Sequence, residues 1–217
     1  MSSLSQSIAD LRKNYTLQSL DIEDADKDPF KQFKHWFDEA LKAEIPEPNA
    51  MVLATAAQDG QPSARVVLLK GFDERGFIFY TNYSSRKGKQ LAENPLASLC
   101  FNWLELERQV RIEGRAERLS QEESDAYFQS RPFESRIGAL ASAQSSEVSG
   151  RAALEQRFAT LVDEFSGKAV PKPDHWGGYV LAPQLIEFWQ GRPGRLHDRI
   201  EYNKQEDGSW LNRRLCP

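Results

Sequence analysis

The spacing of apolar positions changes period several times along the chain, and each change marks an element. Phe30, Phe33, Phe37, Ala40 and Leu41 recur at helical spacing after Asp28-Pro29, predicting a helix with proline in its first turn that ends before Pro46. From Met51 the period falls to two. Residues 51–56, 63–70 and 77–81 read as strands, joined by the turns Gln58-Asp59-Gly60-Gln61 and Asp73-Glu74-Arg75-Gly76 into an antiparallel meander. Ser84-Ser85 caps a short basic helix over 86–93, closed by Asn94-Pro95, and residues 97–103 and 109–118 read as two more strands. Ser120-Gln121-Glu122-Glu123 is a capping box opening a helix through Tyr127 to about Ser130. Residues 131–150 lack a period and read as loop and short helix. Residues 151–165 are helical, with Leu154, Phe158, Leu161 and Phe165 as the apolar stripe. Strands return at 178–181, 185–190, 196–202 and 209–214.

Many short strands with helices inserted between them predict one mainly β, antiparallel, barrel-like domain over residues 29–217, rather than a doubly wound sheet. Residues 1–28 are polar and acidic and offer little to bury, so a mobile arm with a short helix is expected there. Arg12 and Tyr15, three apart, would share a face of that helix.

Composition narrows the function. The chain has 217 residues, 40% of them hydrophobic and 28% charged, which suits a soluble globular protein. A net charge of −4 weighs against broad nucleic-acid binding, which depends on a positive field, but leaves room for a local cationic pocket. No apolar run is long enough to span a bilayer and no signal-peptide core opens the sequence. The two cysteines, Cys100 and Cys216, form no CxxC, so neither a disulfide framework nor a zinc site is expected, and a reducing cytoplasm is the simplest location. His35, His175 and His197 are too scattered to suggest a metal cluster.

The candidate chemistry centres on residues 186–199. A strand-like run breaks at Gly191, Pro193 and Gly194, and then Arg195, His197 and Arg199 follow at every second residue, which on an extended backbone turns them to one face. That face is either a solvated basic hairpin or the seat of a planar anionic ligand, with Trp189 as an apolar platform. Arg65 and Lys70 end an apolar strand, where strict alternation sends them to opposite faces unless a strand end, a bulge or an interface intervenes. Tyr80-Thr81 leads into Ser84-Ser85-Arg86-Lys87, a strand end and helix start suited to an anion. Gln109 and Gln144-Ser145 are further polar candidates. Tyr127, Arg131 and Ser135 stand four apart, a spacing that survives Pro132 only if the chain kinks. Without a GxSxG, a Cys/His pair or a GxGxxG after a strand, the sequence fits chemistry carried by a bound cofactor.

These runs resemble the pyridoxine/pyridoxamine 5′-phosphate oxidase family. The 186–199 stretch resembles its signature, and RVVLLK, FYTN, SSRK, LERQV, YFQSRP, QSS and WGGY follow in the family's order from about Leu11 to Pro217. The resemblance implies an antiparallel, Greek-key-like split β-barrel and a homodimer with FMN sites at the subunit interface. It implies oxidation of pyridoxine or pyridoxamine 5′-phosphate to pyridoxal 5′-phosphate by hydride transfer to FMN, with dioxygen reoxidising the flavin to give hydrogen peroxide. By position it assigns FMN to Arg65, Val66, Val67, Leu68, Leu69, Lys70, Tyr80, Thr81, Arg86, Lys87, Gln109, Gln144, Ser145, Trp189 and Arg199. It assigns the substrate phosphate to Lys70, Tyr127, Arg131 and Ser135, places Arg195 and His197 over the reacting pyridine as the catalytic pair, and matches Arg12 and Tyr15 to arm residues that can close over the site. No metal, nucleic acid or membrane is implied.

Overall fold

The computed structural model describes residues 13–217. The first helix of the described residues, α1 (Pro29–Lys42), starts where the sequence predicts, with the Asp28 carboxylate accepting the Phe30 N–H at 2.9 Å. Its inward stripe differs from the expected one. Trp36 is buried beside Phe33 and Ala40, whereas Leu41 is exposed. Trp36 stands three residues after Phe33, so a 3.6-residue period carries it to the buried face and turns Leu41 outward.

The strands are β1 (Ala50–Ala56), β2 (Pro62–Leu68), β3 (Gly71–Asp73), β4 (Gly76–Asn82), β5 (Leu96–Trp103), β6 (Arg108–Arg118), β7 (Trp176–Gln190), β8 (Asp198–Lys204) and β9 (Trp210–Arg214). Four further helices interrupt them: α2 (Arg86–Glu93), α3 (Gln121–Ser130), α4 (Phe133–Ala141) and α5 (Arg151–Glu164). Hydrogen-bonded neighbours run β2-β1-β5-β6-β7-β4-β3, with β8 on β7 and β9 on β8. The β1–β2 hairpin forms as expected, but the three-strand meander does not. β4 pairs with the short β3 and with β7, because the chain reverses locally through Asp73-Gly76 and leaves β2 as an edge.

β7 corrects a second expectation, since it is one strand of fifteen residues where two were predicted. Residues 176–181 pair with β4 and residues 185–190 with β8. Pro183, which has no N–H to donate, falls between these two pairings.

The contacts divide into two compact units, one of residues up to Pro48 with Cys100–Ile112 and Leu185–Pro217, the other of Asn49–Leu99 with Glu113–Gln184. The first has an aromatic core. Phe33 lies 5.1 Å from Phe101, Trp36 meets Phe188 edge-on at 5.2 Å, and Phe188 meets Tyr202 at 5.6 Å. Each fully buried ring of this size contributes roughly 1.5–3 kcal/mol of transfer free energy. Leu20 and Ala25 are buried in this unit as well, so the segment before α1 packs more than its polarity implies.

In the second unit Met51, Leu53, Phe77, Phe79, Leu99 and Leu181 are buried among the strands, and Phe128, Ile137, Val170 and Trp176 form a separate cluster under α3, α4 and α5. The stripe of α5 reaches that cluster through Phe158, Leu161 and Phe165, while Leu154 stays exposed. Two of the helix starts position functional groups. Ser85 caps α2, accepting from Gly88 N–H, and Ser120 with Glu123 forms the predicted capping box of α3.

At Gly114 β6 and β7 approach closely, since a Cβ there would lie 2.1 Å from the Ala182 carbonyl oxygen. Gly138, within α4, would place a Cβ in open space. Gly114→Ala should therefore destabilise the protein by about 2 kcal/mol or more, and Gly138→Ala should stabilise it by about 0.5–1 kcal/mol. Urea denaturation of both variants checks the pair, and equal effects would contradict the packing described.

Candidate functional site

In the second unit, the end of β2 with Lys70 beyond it, the end of β4, the start of α2 and the α3–α4 connection line a cavity of about 500 Å³. Its walls carry Val66, Val67, Leu68, Lys70, Tyr80, Thr81, Asn82, Lys87, Tyr127, Arg131, Ser135 and Gln144, together with Gly138, Ala139, Ser142 and Trp176. Among the described residues three cations line it and no carboxylate does.

Lys87 reaches in from the first turn of α2. Its Nζ donates to Thr81 Oγ1 at 3.1 Å and to Gln144 Oε1 at 2.9 Å, both neutral acceptors. Burial pulls its pKa below the usual lysine value, and the Arg65 charge lowers it further. Arg65 points back across β1, donating to the Leu53 carbonyl at 3.1 Å, to Thr55 Oγ1 at 2.6 Å and to Ser63 Oγ. Burial and then the Arg86 charge lower its pKa too. Among the described residues neither Arg65 nor Lys87 has an ion-pair partner.

Lys70 lines the cavity, whereas Arg65 does not. β2 ends at Leu68, so strict alternation does not extend to Lys70, whose N–H donates to the Ile78 carbonyl at 2.8 Å. Tyr127, Arg131 and Ser135 converge because the chain kinks. α3 stops at Ser130, Arg131 is extended (φ −74°, ψ 150°), and α4 restarts after Pro132. The Tyr80 ring stacks on Tyr127 at 3.9 Å and on Trp176 at 5.4 Å. Burial pushes the Tyr80 pKa up to about 12, with Tyr127 adding to the effect. Arg131 lies over Trp176 at 4.7 Å, its pKa lowered by burial, and its Nη1 is buried without a hydrogen-bond partner. A cationic cavity with an orphaned guanidinium nitrogen and an aromatic stack fits a planar ligand bearing phosphate.

In the first unit a second cavity, about 610 Å³, is lined by Lys13, Asn14, Tyr15, Arg192, Gly194, Arg195 and His197. Here the expected alternation fails. Gly194 and Arg195 are left-handed (φ 65° and 63°) in a 3-10 turn, so β8 begins only at Asp198. His197 Nδ1 accepts the Arg192 N–H at 3.1 Å, which leaves the proton of a neutral ring on Nε2. Trp189 packs on His197, ring centroids 4.6 Å apart. Arg199 does not line this cavity. It forks onto the buried Glu187, Nε to Oε1 at 2.8 Å and Nη2 to Oε2 at 3.0 Å, a pairing the charge pattern did not reveal.

The remaining predicted residues are placed as follows. Leu69 is buried, and Arg86 and Ser145 are exposed, Ser145 with φ 71°. Gln109 is half-buried in β6 and lines neither cavity. Arg12 lies outside the described residues. The sequence reading missed Asn82, Ser142 and Trp176 as cavity walls; Asn82 and Trp176 sit in the FYTN and WGGY runs, whereas nothing in the aperiodic 131–150 stretch marks Ser142. Among the described residues no group of three or more His, Cys, Asp or Glu could hold a metal ion, and no helix is long and apolar enough to cross a membrane.

Comparison with known proteins fits this arrangement. A family model described as pyridoxamine 5′-phosphate oxidase matches residues 37–163, and one described as the pyridoxine 5′-phosphate oxidase C-terminal dimerisation region matches residues 176–217. A pyridoxine/pyridoxamine 5′-phosphate oxidase of Ralstonia pickettii (strain 12J) is 61% identical over 211 residues, covering 97% of this chain and 99% of its own. One from Trichormus variabilis is 56% identical over 214 residues, covering 99% and 100%. Among solved structures, PhzG from Burkholderia lata 383 in complex with tetrahydrophenazine-1-carboxylic acid superposes with a TM-score of 0.88 at 35% identity, covering 94% of this chain and 100% of its own. A pyridoxamine 5′-phosphate oxidase-related, FMN binding protein from Nostoc punctiforme, 18% identical, shares the fold with a TM-score of 0.69, covering 85% of this chain and 97% of its own. The expected class, an antiparallel split barrel with inserted helices, is thus the observed one. Two family models covering most of the sequence and full-length relatives near 60% identity lead to one statement: the chain belongs to the pyridoxine/pyridoxamine 5′-phosphate oxidase family.

Proposed function

We propose that this protein is an FMN-dependent oxidase that converts pyridoxamine 5′-phosphate and pyridoxine 5′-phosphate to pyridoxal 5′-phosphate. The observation that carries the reading is the cavity with Lys70, Lys87 and Arg131 in its walls and, among the described residues, no carboxylate. On a protein of net charge −4, such a cavity calls for anionic ligands, and both the cofactor and the substrate carry phosphate.

Bound FMN supplies a two-electron acceptor for the hydride leaving the carbon that bears the amine or alcohol, and dioxygen regenerates it with release of hydrogen peroxide. The protein's part is binding, orientation and exclusion of water. Arg65, Arg86 and Lys87 hold the cofactor phosphate, and the neutral partners of Arg65 and Lys87 leave both charges uncompensated until it arrives. Val66–Leu69, Tyr80, Thr81, Gln109, Gln144, Ser145, Trp189 and Arg199 complete the cofactor contacts. For Arg199 the fork onto Glu187 fixes the guanidinium plane, and its Nη1 already donates to the Cys216 carbonyl at 2.8 Å.

Lys70, Tyr127, Arg131 and Ser135 take the substrate phosphate, with the orphaned Nη1 of Arg131 as a free donor. Arg195 and His197 act at the pyridine. Arg195 holds the ring and stabilises charge that shifts as the hydride leaves, while His197 offers its Nε2 proton to the ring's edge. A homodimer places the two FMN sites at the subunit interface. Two free thiols suit a cytoplasmic location.

Three outcomes test this. FMN should bind far more tightly than riboflavin, and Lys87→Ala should weaken FMN binding by about tenfold to a hundredfold; equal affinity for the two flavins in a fluorescence-quenching titration would refute the phosphate assignment. Arg195→Leu should keep its flavin absorbance yet lose about a hundredfold or more in oxygen consumption with pyridoxamine 5′-phosphate, against about tenfold for His197→Asn. Dilution that yields monomers by light scattering should release flavin and activity together, and a fully active monomer would contradict sites at the interface.

A further inference from the structure

Glu107, in the LERQV run, takes no part in the chemistry described above. Its backbone is left-handed (φ 56°, ψ 39°), a conformation that favours glycine, and its side chain is only 2% exposed. Both features disfavour glutamate here, so its presence has to be understood from what the carboxylate holds. It holds the segment before α1. Oε2 accepts the Thr16 N–H at 2.8 Å and the Leu17 N–H at 3.2 Å, and Oε1 pairs with Lys13 Nζ at 3.4 Å.

The main chain of Glu107 faces the other way. Its carbonyl accepts the Gly191 N–H at 2.8 Å and Gln190 Nε2 at 3.2 Å. One residue therefore ties Thr16 and Leu17 to the end of β7. Tyr15 is seated between these attachments, its ring centroid 5.7 Å from both Trp189 and His197. It lies so close to Gly191 that a Cβ on that glycine would fall 2.6 Å from the tyrosine Cγ. Tyr15, Arg195 and His197 line the same cavity.

We propose that Glu107 is a positioning residue: by holding the main-chain N–H groups of Thr16 and Leu17 it seats Tyr15 against Gly191 and His197 and completes the substrate-side wall of that cavity. The inference rests on the reading of Arg195 and His197 as substrate contacts. Only a carboxylate serves all three partners, since it accepts at both oxygens and donates at neither. An amide would turn an NH₂ group toward Lys13 or toward the two backbone donors.

The test uses the full-length, FMN-loaded protein. Glu107→Gly removes the carboxylate, gives the backbone the residue its conformation favours, and keeps the main-chain bonds from Gly191 and Gln190. Its melting temperature should match or exceed the wild type. Hydrogen exchange at the Thr16 and Leu17 amides should quicken by about tenfold or more, and trypsin should cut faster after Lys13. The KM for pyridoxamine 5′-phosphate should rise by about tenfold while kcat stays within about threefold, the pattern of lost uniform binding. Glu107→Gln, which keeps one acceptor oxygen, should fall between the two on each measure.

Wild-type exchange at Thr16 and Leu17 in Glu107→Gly would overturn the proposal, and so would faster exchange with an unchanged KM. If Glu107→Gly melted lower than the wild type, Glu107→Gln would decide on the same two readouts. Exchange needs no substrate, so it judges the seat of Tyr15 separately from activity. A wild-type enzyme unable to oxidise pyridoxamine 5′-phosphate would overturn the functional reading instead.

Discussion

Uncompensated positive charge in a partly desolvated cavity is the constraint from which the rest of this molecule follows. Lys70, Lys87 and Arg131 share one cavity, Arg65 stands close enough to depress Lys87, and among the described residues no carboxylate lines the walls. Like charges brought together out of water raise the energy of the empty site. The folded chain carries that cost because its strands and helix caps leave these groups no alternative. Lys87 leaves a helix whose first turn is fixed by Ser85, and Arg65 is held by the Leu53 carbonyl and the Thr55 hydroxyl. Neutral oxygens orient the cations without cancelling them.

The first unit treats its cations differently. Arg199 and Arg111 both bond to the buried Glu187, Arg213 pairs with Glu201, and Arg214 with Asp198. Arg108, itself buried, engages Glu39, Gln18 and Gln190 and lies 4.3 Å over the Trp36 ring. Removing one of these arginines would leave a buried acceptor such as Glu187 stranded, so these pairs report on geometry more than on net stability. Against this paired background Arg195 is conspicuous, exposed on a left-handed residue within a turn and without an ion-pair partner among the described residues. Contrast between paired and unpaired cations separates scaffold from site more sharply than the number of basic residues does.

Family membership and physical reading constrain different things. The fold is shared with a Nostoc protein at 18% identity, too remote to carry a substrate, since one scaffold hosts many chemistries. Substrate choice has to reside in particular side chains. The kink at Pro132 brings Tyr127, Arg131 and Ser135 to one cavity, and the proposed discrimination for a phosphorylated pyridine draws on that convergence.

Much of this was legible along the chain. Local signals placed α1, α2 and α3 to within a residue or two, because Asp28-Pro29, Ser85 and the Ser120–Glu123 box act over three or four residues and need no tertiary partner. The candidate cations and aromatics were also visible, as residue types at recognisable spacings. Pairing was not. β4 turned to β7 instead of β2, and β7 ran unbroken through Pro183, because a strand's partner depends on contacts distant in sequence and periodicity describes only faces. Nor could alternation foresee that Arg195 would adopt a positive φ, or that Glu187 would take Arg199. Local sequence determined which groups this protein owns and where its helices begin; only the tertiary structure decided which charges are neutralised and which are left facing a cavity, since burial and ion pairing are made by residues that meet only after folding.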